Sequence, residues 1–76
     1  MVLDLIVLKT DDGYTAEIPS MKGCESWAHS EDEAIDKTLE LLRFYLHVKS
    51  DFKFKIDRAR KEGNQIVYKV IFNKDL

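Results

Sequence analysis

Cysteine occurs once in this sequence, proline once and glycine three times. A lone Cys24 leaves no intrachain disulfide to form and no cysteine cluster to hold zinc. With only Gly13, Gly23 and Gly63, there is no glycine-rich loop to cradle a phosphate. No apolar run approaches a membrane span, which excludes a transmembrane helix. The N-terminus lacks the basic start and small-residue cleavage site of a signal peptide, so a cytoplasmic protein is expected.

What is present describes a small globular chain. Of its 76 residues 45% are hydrophobic and 34% charged, enough apolar surface for one core and too little length for two catalytic lobes. A single domain over residues 1–76 is expected. Charge is nearly balanced overall at −2, but residues 1–42 carry −7 and residues 43–76 carry +5. Such asymmetry points either to two surfaces with different partners or to a wet acidic helix face beside a wet basic hairpin.

Hydrophobic periodicity divides the chain into six elements. Val2 to Lys9 reads as a strand with apolar residues on both faces: Leu3, Leu5 and Val7 on one, Val2, Ile6 and Leu8 on the other. A strand of that kind is central in a sheet covered twice, or lies at a subunit interface. Residues 10–13 turn, with Asp12-Gly13 as the hairpin signal. Tyr14 to Ile18 alternates, and Pro19 stops it for want of an N–H. Cys24 to His29 makes a third strand with the small Cys24, Ser26 and Ala28 on one face and Glu25, Trp27 and His29 on the other.

A helix is then predicted from Glu31 to about Lys49. Ser30 and Glu33 form a capping box at its start, and acids crowd its first turn, where the helix dipole favours them. Ile35, Thr38, Leu39, Leu42, Tyr45, Leu46 and the stem of Lys49 recur at helical spacing as its buried stripe. Asp36, Lys37, Glu40, Arg43 and His47 fall on the wet side, while Leu41, Phe44 and Val48 widen the apolar arc beyond what one sheet face needs. After a break at Ser50-Asp51, Phe52 to Arg60 and Gln65 to Asn73 form a β-hairpin (residues 52–73) around a turn at Lys61–Asn64. The order β-β-β-α-β-β gives an α+β fold of two layers, with one long helix packed on one face of an antiparallel sheet. The small row at Cys24, Ser26 and Ala28 suits the helix, which leaves Trp27 on the opposite face.

The pattern Tyr14-x-Ala16-x-x-Pro19-x-x-x-Gly23-Cys24-x-Ser26-x-Ala28-x-Ser30-x-x-Glu33-Ala34 resembles the signature of the HicB-type antitoxin domain family. The match is strongest over residues 2–50. The resemblance implies a truncated ribonuclease-H-like sheet and helix, and a protein that neutralises a small basic toxin cleaving messenger RNA. The family's C-terminal DNA-binding segment has no counterpart here, because a hairpin follows the helix. The turn that usually reads Pro-x-Leu-Pro-Gly is Pro19-Ser-Met-Lys-Gly23 in this chain.

The residues themselves argue against catalysis. A metal-dependent nuclease needs several carboxylates converging on two ions about 4 Å apart. Glu17 and Glu25 can share a face, but nothing brings Asp4 to them, and Asp36 and Glu40 lie on the wet side of the helix. His29 and His47 sit at opposite ends of the helix, roughly 25 Å apart, and cannot act together. Neither enzyme activity, nor a metal, nor a cofactor is expected. The leading expectation is an interaction domain that forms a homodimer or homotetramer and meets its toxin through Glu17, Glu25, Trp27 and His29. The competing expectations are a nucleic-acid-binding domain using Lys53, Lys55, Arg58, Arg60 and Lys61 of the hairpin, and an orphan oligomeric domain with no surviving toxin partner. Against the first, alternation puts Phe52, Phe54 and Tyr68 opposite most of those bases, so no stacking platform forms.

Overall fold

A computed structural model describes residues 1–73 of the chain; the last three residues of the expected domain lie outside the described range. Five strands, β1 (Val2–Lys9), β2 (Tyr14–Glu17), β3 (Glu25–Ala28), β4 (Lys55–Glu62) and β5 (Gln65–Ile71), and one helix, α1 (Glu31–Leu46), follow the predicted order. The strands form one wholly antiparallel sheet in the order β3-β2-β1-β5-β4. The doubly apolar β1 is indeed central, and the C-terminal strand β5 lies beside it. The fold is α+β, with α1 packed on one side of the sheet over β3, β2 and part of β1.

Strand alternation selects the core. On the helix side Leu5, Val7, Ala16, Ile18, Cys24, Ala28 and Val70 are buried and meet Ala34, Leu39, Leu42 and Leu46 of α1. Phe52, Phe54 and Phe72 close the same core edge to face, with ring centroids 5.3–6.2 Å apart. On the other side no second layer covers β1 among the described residues: Val2 is 56% exposed and Leu8 42%.

Polar groups fix how α1 sits on the small row of β3. Thr38 is fully buried, with its hydroxyl 3.1 Å from the Ala16 carbonyl and 2.7 Å from the Ser26 hydroxyl. Ser26 Oγ lies 3.0 Å from the Ala34 carbonyl, and Cys24 Sγ 3.6 Å from the Thr38 carbonyl. Small residues on β3 let the helix approach closely enough for these bonds.

The helix starts as predicted and ends early. Ser30 is the N-cap and accepts from the Glu33 N–H at 3.3 Å; the Ser30 hydroxyl also meets the Glu33 carboxylate. The predicted continuation to Lys49 fails because His47 turns left-handed (φ 58°). The Val48 N–H then bonds the Arg43 carbonyl and the His47 N–H the Phe44 carbonyl, a Schellman closure that satisfies the last carbonyls. Two stripe assignments and one wet-side assignment differ from the structure. Lys49 is outside the helix and exposed, and Tyr45 is 41% exposed. Arg43, expected in water, instead donates from Nε to the Phe52 carbonyl at 2.9 Å and lies over the Phe54 ring. Phe44 is the most exposed large apolar side chain, at 75%.

The hairpin is shifted. β4 begins at Lys55 rather than Phe52 and runs to Glu62, so the turn shrinks to Gly63-Asn64, with Gly63 at φ 58°. Its ladder breaks between Arg58 and Arg60, where Ala59 forms a β-bulge.

Candidate functional site

The four residues predicted to meet a partner lie together on the side of the sheet away from α1. Thr15 pairs with Trp27 and Glu17 with Glu25 across β2 and β3, so the two carboxylates are direct cross-strand neighbours. All four predicted residues are exposed. Like charges placed so are mutually unfavourable, and a cation resting on both relieves the repulsion. Trp27 is 38% exposed and makes an edge-to-face contact with His29, ring centroids 4.7 Å apart. Its indole is propped from beneath by Gly13, which has no side chain to displace it.

The row running across the sheet through Glu25 and Glu17 continues into Ile6, Val67 and Arg60. The helix-free face is therefore acidic at the β3–β2 edge and apolar in the middle of this row, while β4 brings Lys55, Asp57, Arg60 and Glu62 to it, with Arg60 paired to Glu62. Val67, only 1% exposed, sits at its centre. Asp4 and Lys69, paired across β1 and β5, form an ion pair on the same face.

The basic residues of the hairpin do not form one surface. Lys55 stands opposite Ile71, and Arg60 opposite Val67, on the helix-free face. On the helix side Arg58 faces Tyr68, as alternation has it, and the bulge brings Lys61 opposite Ile66 in place of Arg60. Alternation alone would have sent Lys61 with Lys55 and Arg60 with Arg58. Lys53 precedes the strand and is exposed. An aromatic and a base share a face at Tyr68 and Arg58.

Among the described residues no three His, Cys, Asp or Glu side chains converge where a metal could be held. Cys24 is buried, and burial pushes its thiol pKa up, away from the thiolate form a nucleophile needs. Helix α1 is too short to cross a membrane, and no other helix is described.

One titrating contact joins the helix to the hairpin: the Tyr68 hydroxyl donates to the Glu31 carboxylate. Burial first, then that hydrogen bond and the carboxylate's charge, push the Tyr68 pKa up to about 12, while Arg58 pulls it down. A phenol whose pKa is higher folded than unfolded binds its proton more tightly in the native state. Its contribution is therefore complete below the ordinary tyrosine value of about 10 and is lost as pH rises through about 12. In an absorbance titration one of the three tyrosines should ionise late. Glu31→Gln should bring that step to lower pH, and Tyr68→Phe should remove it. A late step that survives Tyr68→Phe would show that the contact does not form.

The sequence comparisons follow this geometry. A UPF0150 protein of Archaeoglobus fulgidus is 35% identical over 52 residues, covering 67% of this chain and 75% of the relative. The chain belongs to the UPF0150 family. A second UPF0150 protein, from Helicobacter pylori, is 35% identical over 46 residues, or 60% of this chain and 64% of that relative. The chain thus spans three quarters of one relative and just under two thirds of the other. No family model matches the UPF0150 chain, and no solved structure matches it.

Proposed function

We propose that this UPF0150 chain is a HicB-like antitoxin-type interaction domain, cytoplasmic and without enzymatic activity, which neutralises a small basic mRNA-cleaving toxin by covering its active surface. The observation that carries the reading is the helix-free face. There an exposed tryptophan stands beside two adjacent carboxylates, on a sheet side that no element among the described residues covers. Exposed tryptophans are favoured anchors at interfaces, and the carboxylate pair would both attract a cationic partner and be relieved by it. The ordered Tyr14–Ala34 pattern shared with HicB-type domains supports the same reading.

Self-association into a homodimer or homotetramer belongs to the proposal. The uncovered β1 offers one seam for it, through Val2 and Leu8, and α1 offers a second through Phe44. The alternative of nucleic-acid binding by the hairpin needs its bases on one side. The strand divides them between its two faces, which favours the protein partner.

The test is rescue from toxicity. A small basic toxin encoded next to this chain is co-expressed with it, and growth and intact messenger RNA are followed. Wild type restores growth, Trp27→Ala lowers capture of the toxin about tenfold or more, and Lys53→Gln with Lys55→Gln leaves it unchanged. Undiminished capture by Trp27→Ala would refute the sheet-face site. Retention of RNA by the purified chain, lost steeply with salt, would favour the hairpin instead.

A further inference from the structure

We propose that the cleft between the start of α1 and the tip of the β4–β5 hairpin binds a phosphomonoester of mononucleotide size. This site lies on the opposite side of the sheet from the toxin surface and does not depend on it. The bulge at Ala59 creates it. Because the bulge resets the alternation, Arg58 and Lys61 project together on the helix side, where α1 no longer covers the sheet. Lys9, at the end of β1, joins them: its backbone N–H bonds Asn64 in the hairpin turn at 3.1 Å, and its side chain lines the same cleft.

Three cations therefore converge on one concavity. Among the described residues none of the three is in an ion pair. Among the described residues the one carboxylate in the wall is that of Glu31, which accepts the Tyr68 hydroxyl and keeps its charge, so the three cations outweigh it. A guanidinium flanked by two ammonium groups suits a tetrahedral dianion, since arginine presents paired donors to phosphate oxygens and lysine adds point charge.

Size and lining define the rest of the ligand. The cleft encloses about 370 Å³, within the range of small-molecule sites and far more than a bare phosphate fills. The half-buried Tyr14 and Ile66 line it as well, apolar surface against which a planar ring can lie. A phosphate on the cations with a ring against these two uses both halves. This chemistry is that of a nucleoside monophosphate.

Adenosine monophosphate, adenosine, inorganic phosphate and an unphosphorylated RNA oligonucleotide are titrated into the full chain and followed by amide NMR shifts. The monophosphate should saturate at submillimolar concentration, with shifts at Tyr14, Gly63, Asn64 and Ile66. Adenosine and phosphate should each bind at least about tenfold more weakly. Arg58→Gln and Lys61→Gln should each weaken the monophosphate about tenfold, whereas Lys53→Gln and Lys55→Gln, elsewhere on the same hairpin segment, should not. The proposal falls if no saturable shifts appear at millimolar monophosphate, or if phosphate alone binds as well. It falls equally if all four variants weaken binding alike, or if the unphosphorylated RNA binds as tightly.

Discussion

Gly13→Ala should cost about 3 kcal/mol of stability, a large part of what so small a chain possesses, and should move the fluorescence of its single tryptophan. A Cβ on Gly13 would lie 2.5 Å from the Ala28 carbonyl and 2.6 and 2.8 Å from two atoms of the Trp27 ring. The ring is partly exposed and could swing away. The carbonyl cannot, because Ala28 is held in register opposite Tyr14. Adding Trp27→Ala should therefore recover only part of the loss. Gly63→Ala makes the control: its Cβ would meet nothing within 4 Å, so only the left-handed backbone opposes it, at about 1 kcal/mol. Thermal or denaturant unfolding reads all four proteins. If Gly13→Ala matches wild type, the indole is not seated on Gly13 and the presentation of Trp27 needs another explanation.

That glycine illustrates what the sequence could and could not convey. Asp12-Gly13 marked a turn in the right place, yet the turn spans residues 10–13 and Gly13 does not have positive φ. Its reason is the close approach of a strand two elements away, which no local pattern contains. The same division holds elsewhere. Alternation along β2 and β3 put Glu17, Glu25, Trp27 and His29 on one face because a strand's side-chain period is rigid. Ser30 and Glu33 announced the start of α1 because capping is local chemistry. The end of α1 was not announced: no glycine or proline follows Leu46, and His47 takes the left-handed position itself. The bulge at Ala59 was equally silent, being a property of two paired strands rather than of one. Since that bulge decides which bases share a face, the cleft could not be foreseen from the alternation of the hairpin.

The largest polar effect should come from Thr38→Val, which keeps shape and removes one hydroxyl; a loss on the order of 2 kcal/mol is expected. Thr38 was legible as part of the buried stripe, but its role depends on Ser26 and Ala16 from two strands. The two hydroxyls carry two protons for three short contacts: Thr38 to Ala16, Ser26 to Ala34, and Thr38 to Ser26. One proton arrangement satisfies both carbonyls, leaving the 2.7 Å oxygen pair unbridged; others bridge the oxygens and release one carbonyl. Valine withdraws the donor from the Ala16 carbonyl and fixes the Ser26 proton on Ala34, in a site where water does not replace what is lost. Ser26→Ala alone should cost less, because Thr38 can still give its proton to Ala16. The double variant should lose less than the two single losses combined, since the second change removes a group already short of a partner. Strict additivity in that cycle would mean that the hydroxyls act separately. The lock between α1 and the small row of β3 would then rest on packing alone.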